Sequence, residues 1–441
     1  MSDEVTLSRL IDEGALSLQT GPFGSQLHSY DYQDEGVPVI PTEGIQEGRI
    51  DHSVLPKITR KKAEELRRHR MQADDILFAR RGAQATGRTA RIRSSEEGFI
   101  CGTGAIRARV ENCDAIDPKF LAWYLATPST VSWIREQAIG ATMPNLNKSI
   151  IGRIALPSIP VSEQKRIARL LNALDDKIEL NRRMSATLEA MARALYRSWF
   201  VDFDPVHARA LGQPPAHMDA TTAALFPDSF GPDGLPKGWE MSTIGEVAET
   251  VGGATPKTKE PAFWDGPHRW ATPRDLSRLG QPVLFETDRT LTDAGLAKIS
   301  SGLSPAGTVL LSSRAPIGYV AIAQNPVAVN QGFIALRETD RISSVEAYFW
   351  VQSNMDAILA NANGSTFQEI SKKNFRPLPC VVAPDPVRNA FRELAGTWFD
   401  RVAGLCAENA NLATLRDTLL PRLMSGELRI REAQTQVEAM V

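Results

Sequence analysis

Two stretches of the chain repeat apolar residues at alternating spacings of four and three. After Pro160 the positions Ile167, Leu171, Leu174, Ile178, Asn181, Ser185, Leu188, Ala192, Leu195 and Trp199 keep this stride, and Ser162 is placed to cap the helix they predict. The second stretch shows Val387, Phe391, Leu394, Trp398, Val402, Leu405, Asn409, Leu412, Leu419 and Leu423, with one extra residue near its middle. Such stripes are coiled-coil seams, and each helix would run about 38 residues, or ~57 Å. Asn181 and Ser185 are polar seam positions. They either fix register or face a wet gap, and the pattern alone leaves both readings open.

Outside these stretches the apolar runs are short and end abruptly. Leu77-Phe78-Ala79-Arg80-Arg81-Gly82 reads as a buried strand entering a turn, and Leu310-Leu311-Ser312-Ser313-Arg314-Ala315 reads the same way. The pair belongs to a larger repeat, in which the second half replays the first about 222 to 233 residues later. Val39-Ile40-Pro41-Thr42 answers Trp270-Ala271-Thr272-Pro273, and Gly102-Thr103-Gly104-Ala105-Ile106 answers Asn330-Gln331-Gly332-Phe333-Ile334. Gly140-Ala141-Thr142-Met143 answers Gly364-Ser365-Thr366-Phe367, and Leu156-Pro157 answers Leu378-Pro379. Five collinear matches exclude chance. The chain therefore holds two similar modules, each followed by a seam-forming helix. Helices that bury their seams on each other in antiparallel fashion would hold the modules apart like a ruler.

Between the halves, Val201 to Lys237 contains Pro205, Pro214, Pro215, Pro227, Pro232 and Pro236, and is predicted to be a linker that no regular element crosses. The expected boundaries are a first module over 1–156, a helix over 157–200, the linker over 201–237, a second module over 238–379, a second helix over 380–430 and a tail over 431–441.

Composition narrows the function classes. A 441-residue chain with 42% hydrophobic and 23% charged residues is a folded globular protein of two or three units. No apolar run is long enough for a membrane span and Met1-Ser2-Asp3-Glu4 lacks a signal-peptide pattern, so a cytoplasmic location is expected. Cys101, Cys113, Cys380 and Cys406 are scattered without metal-ligand spacing and read as reduced thiols. A net charge of −2 rules out a general polycation, so nucleic-acid contact must be local. Lys57 to Arg93 carries twelve Lys or Arg against four Asp or Glu.

The residues around the helices resemble the specificity subunit of type I restriction-modification systems, over essentially the full length. Lys177-Ile178-Glu179-Leu180-Asn181-Arg182-Arg183, Leu188-Glu189 and Leu195-Tyr196-Arg197-Ser198-Trp199-Phe200-Val201-Asp202-Phe203-Asp204-Pro205 are similar to the family's first helix and its exit. Leu225-Phe226-Pro227-Asp228-Ser229-Phe230 and Pro236-Lys237-Gly238-Trp239 resemble its approach to the second module. Leu412, Leu415-Arg416-Asp417, Leu419-Leu420-Pro421-Arg422-Leu423-Met424 and Ser425-Gly426-Glu427-Leu428 look like its closing element, and Gly21-Pro22-Phe23-Gly24-Ser25 like its opening.

The resemblance implies an α+β fold: two similar mixed α/β target-recognition domains separated by two long antiparallel coiled-coil helices, a pseudo-two-fold internal repeat. It implies a non-catalytic, sequence-specific DNA-binding subunit that reads a bipartite, interrupted duplex. Two methyltransferase subunits would dock on the helices, and restriction subunits with nuclease and translocase activity would join them. S-adenosylmethionine, ATP and magnesium would belong to those partners, with no cofactor, metal or catalytic residue in this chain. Consistently, the sequence has no GxxxxGK[ST] loop, no Asn-Pro-Pro-aromatic motif and no GxGxxG after a convincing strand. Two competing classes remain: a stand-alone DNA methyltransferase or restriction enzyme, and a coiled-coil adaptor that ignores DNA.

Side chains that reach base edges specify sequence, whereas cations on phosphate only position the protein. For base contact the first module offers Thr42, Glu43, Arg80, Arg81, Gln84, Thr86, Arg88, Asn145, Asn147 and Lys148. The second offers Thr272, Arg274, Ser313, Arg314, Tyr319, Thr366, Gln368, Lys372 and Lys373. Arg60, Lys61, Lys62, Arg67, Arg68 and Arg70, on a predicted helix with Glu64 and Glu65, are the phosphate-positioning candidates; i to i+4 pairing is the alternative account.

Overall fold

A computed structural model describes residues 5–82, 84–140, 145–314, 316–364 and 368–438, which form two compact units: 1–178 with 411–441, and 179–410.

In the first unit, Leu16–Thr20, Ala105–Val110, Ile76–Ala79 and Thr89–Arg91 lie side by side in that order as an antiparallel sheet. Ile76–Ala79 is buried on both faces. Ile76 and Phe78 enter one apolar cluster with Ile106 and Ala108, while Leu77 and Ala79 enter another with Ala90 and Ala105. Side chains alternate along a strand, so a strand between two cores must be apolar at every position. Val37–Ile40 runs parallel to Ile100–Cys101, pairing Val39 with Ile100 and Ile40 with Cys101. Val5–Thr6 closes the module against Ala155–Leu156.

The second unit repeats this plan. Glu249–Val251, Phe333–Arg337, Val309–Ser312 and Val320–Ala323 follow the same antiparallel order, with Val283–Leu284 added at the edge. Val309 and Leu311 face one cluster and Leu310 the other. The parallel pair recurs as Trp270 with Ala328 and Ala271 with Val329, and the closing ribbon as Glu240–Thr243 with Pro379–Val382.

Both long helices are continuous, Val161–Phe200 and Asp385–Met424, each 40 residues. In the first unit, Ile167, Leu171, Leu174 and Ile178 are buried with Leu412, Leu415, Leu419 and Leu423, and Arg416 donates to Asp175 at 2.9 Å. In the second unit, Tyr196 packs against Phe391 with ring centroids 5.9 Å apart, while Asn181 Nδ2 donates to Asn409 Oδ1 at 3.1 Å and to Glu408 Oε2 at 2.9 Å. The later residue of one helix meets the earlier residue of the other, so the segments are antiparallel. Asn181 is fully buried, with its Nδ2 paired across the seam and its Oδ1, like Ser185 Oγ, without a hydrogen-bond partner among the described residues, so the two form a polar layer in the seam. Leu188 packs beside Val402 and Cys406, and Leu405 is buried.

Several expectations need correction. Leu394 is 40% exposed, and the buried position is Ala395. The seam runs Val387, Phe391, Ala395, Phe399, a stride of four that keeps both phenylalanines in the aromatic cluster. Leu195 is only partly buried, at the margin of that cluster. Ser162 lies inside the first turn; the Pro160 carbonyl accepts from Glu163 and Gln164, both at 2.9 Å.

The segment 201–237 is not an empty linker. Asp204–Ala210 is a helix with Pro205 in its first turn, where a missing N–H costs nothing, and Val206, Phe226 and Leu235 are buried in the second unit's core. Residues 379–382 belong to a strand, so the second helix starts at Asp385. The tail contains the helix Ile430–Glu438, whose Ile430 and Ala433 join the first unit's seam.

Glu346, in the buried helix Ser344–Ser353, has its carboxyl pushed up to about 7 by burial, partly offset by Arg388 and Arg392. The native state therefore holds a proton that the unfolded chain releases from about pH 4.5 upward. Glu346's contribution should be most favourable at low pH and decline as pH rises toward 7, then stay level. Glu346→Gln is expected to remove this slope and to stabilise the protein at pH 8 by up to about 3 kcal/mol. Denaturant melts at pH 5 and pH 8 check it; an unchanged slope refutes the assignment.

Candidate nucleic-acid interface

The interface candidates gather where the central strand of each module ends. In the first module, Arg80 N donates to Gly104 O at 2.9 Å and Arg80 O accepts from Leu146 N at 3.0 Å, while Arg81 forms a backbone bridge with Asn145. The Arg80 guanidinium Nε donates to Asn145 Oδ1 at 3.0 Å and to Leu146 O at 3.1 Å. Arg80, half-buried, thus clamps two loops through its Nε. Burial, with the like charge of Arg81, lowers its pKa.

Thr86 is also withdrawn: it is buried, and its hydroxyl closes the turn on Gly82 O at 2.7 Å. Arg88 is half-buried and donates to Gln46 Oε1 at 3.0 Å. Asn147 is exposed and caps the helix Lys148–Gly152, its Oδ1 accepting from Ile150 N at 2.8 Å. Thr42 lies against Gly104, where an added Cβ would stand 2.5 Å from the Thr42 hydroxyl. Arg81, Gln84, Lys148 and Glu43 remain exposed.

The second module builds the same corner. Ser313 N donates to Gly332 O at 2.8 Å, Ser313 O accepts from Ile370 N at 3.0 Å, and Arg314 bridges Glu369. Ser313 takes Arg80's place in this frame but is buried, so it cannot read bases. Arg314 Nη1 faces Glu369 Oε2 at 3.8 Å. Tyr319 is half-buried against the second core layer.

Thr272 forms a capping box with buried Asp275, its hydroxyl donating at 2.6 Å, which fixes a helix start and leaves exposed Arg274 as the outward residue. Gln368, Lys372 and Lys373 are exposed. Ala141, Thr142, Met143, Pro144, Ala315, Ser365, Thr366 and Phe367 lie outside the described residues.

The basic run occupies the helix Arg60–Glu65 and the turn Arg67–His69. Lys62 is engaged by Asp31 at 3.5 Å and Glu65 at 3.4 Å, and Arg70 by Glu64 at 3.2 Å. Arg60 and Lys61 on the helix, and Arg67 and Arg68 on the turn, are exposed.

Two arginines that sequence reasoning passed over hold this turn. Arg107 donates to the Arg68 and Arg70 carbonyls at 3.4 Å each, and Arg109 grips Asp75 through two bonds of 2.7 Å. Their i, i+2 spacing in Ala105–Val110 places both on one face of the strand, a signal that was available.

Burial pushes the thiols of Cys101 and Cys380 up to about 12, so neither is poised as a nucleophile. Among the described residues no group of three or more His, Cys, Asp or Glu is placed to hold a metal ion. Among the described residues no helix is long and apolar enough to cross a membrane.

The family model of the type I restriction modification DNA specificity domain matches residues 25–190 and 236–382, more than half of the chain. The chain is 26% identical over 364 residues to the specificity subunit of the type I restriction enzyme HindI of Haemophilus influenzae, covering 72% of this chain and 79% of that one. It is 38% identical over 154 residues to the MjaIX specificity subunit of Methanocaldococcus jannaschii, covering 34% of this chain and 35% of that one. The crystal structure of a type I restriction-modification S subunit from M. genitalium shares the fold at a TM-score of 0.56 and 17% identity, covering 96% of this chain and 97% of that one.

Proposed function

Because the chain belongs to the type I restriction-modification DNA specificity family, we propose that it reads a two-part DNA target, each module contacting one half, and performs no chemistry itself. The observation that carries this reading is the duplicated corner. One backbone frame, fixed by equivalent hydrogen bonds in both modules, presents Arg81, Gln84 and Lys148 in the first and Arg314, Gln368, Lys372 and Lys373 in the second. A constant frame with different donors suits two unlike half-sites. Arg60, Lys61, Arg67 and Arg68, exposed elsewhere on the first module, supply phosphate contacts, which position without specifying.

The long helices provide docking surfaces for methyltransferase subunits, which carry S-adenosylmethionine, and restriction subunits supply the ATP- and magnesium-dependent steps in the cytoplasm. Methylome sequencing of a strain expressing the chain with its methyltransferase partner tests the reading. A bipartite adenine-methylated motif that vanishes when this chain is deleted is expected. A contiguous motif, or one that persists without the chain, would overturn it.

A further inference from the structure

The two corners differ in one respect that bears on how the second half-site is read. In the first module Asn145 Oδ1 is occupied by Arg80 Nε at 3.0 Å, so the bridge partner of Arg81 is engaged elsewhere. In the second module the clamp position is Ser313, too short to reach across, and the backbone bridge partner of Arg314 is Glu369, whose carboxylate faces Arg314 Nη1 at 3.8 Å. The 3.8 Å approach joins side chains that are 37% and 49% exposed. Exposed ion pairs of this kind contribute little to stability. What the carboxylate does change is the freedom of the arginine, a side chain with high rotamer entropy whose planar fork discriminates only when aimed.

The geometry points to Glu369 as a positioning residue that holds Arg314 toward the major groove, so that the second module requires guanine at one base pair. Backbone pairing of residues 314 and 369 fixes the origin of both side chains. The carboxylate stands 3.8 Å from Nη1 alone, which leaves the Nε and Nη2 edge to bind guanine O6 and N7 together. The first module, with Arg81 lacking such a carboxylate at the bridging position, has no equivalent requirement there.

This inference rests on the proposed DNA reading, and the test separates the two. The full-length chain, purified with its methyltransferase subunits, is bound to a duplex library randomised across both half-sites. Glu369→Gln is expected to reduce guanine preference at a single base pair of the second half-site by roughly tenfold or more. The first half-site should be unchanged. Glu369→Asp, which keeps the charge, should restore part of the preference, and Arg314→Lys should lose it at the same base pair. Equal weakening for all sequences, no change, or loss at a base pair different from that of Arg314→Lys would each overturn the positioning role. A wild-type complex without any two-part preference would instead overturn the specificity reading, and this inference with it.

Discussion

Exchanging residues 1–156 for the matching segment of another family member is expected to replace one half of the recognised sequence and leave the other intact. The first module owns its cores and is closed by its own Val5–Leu156 ribbon. The seam residues Ile167, Leu171, Leu174 and Ile178 lie beyond the exchange point. The donor must preserve the module's grip on the helix, where Trp123 donates to Asn172 Oδ1 at 3.0 Å and Arg93 to Asp175 at 2.7 Å. Specific binding typically exceeds non-specific binding by about 10³- to 10⁷-fold, so the exchanged half should change preference by orders of magnitude. Competition binding with hybrid targets measures it. Altered preference in both halves would defeat independent reading.

Phe391→Ala should be among the most damaging single substitutions. The ring is fully buried, with centroids 5.1 Å from Phe200, 5.9 Å from Tyr196 and 6.1 Å from Trp199. Truncating a buried phenylalanine costs about 3–5 kcal/mol through lost transfer energy and the cavity left behind. The loss belongs to the second unit. Hydrogen exchange should show reduced protection over Ala192–Phe200 and little change over Ile167–Ile178. A loss below about 1 kcal/mol would mean that the cluster collapses around the gap.

Much of the architecture was legible because its signals are local and repeated. Strands sandwiched between two cores announce themselves as short apolar runs, and Leu77 to Ala79 and Leu310 to Leu311 do so in matched positions. The seam was legible wherever leucines mark it. It failed at Leu394 because hydrophobicity favours leucine over Ala395, whereas burial follows the four-residue stride of the phenylalanines.

The prolines of 201–237 misled for a related reason. Proline forbids a helix interior but not its first turn, and nothing local reveals that Phe226 will sit 4.9 Å from Trp199. The interface was the least legible part. Arg80 and Arg81 are chemically identical neighbours, and only a partner 65 residues away makes one a clamp and leaves the other open.

The first unit is assembled from 1–178 and 411–441, whereas the second is the uninterrupted stretch 179–410. On the ribosome, Ile167, Leu171 and Leu174 emerge long before Leu412, Leu419 and Leu423, which cover them. At about 5–20 residues per second, that stripe waits on the order of ten seconds or more for its cover. The later-synthesised unit can therefore complete its fold first. A ribosome that stalls between the two helices releases an open adhesive stripe, giving chaperones a reason to attend this chain during translation.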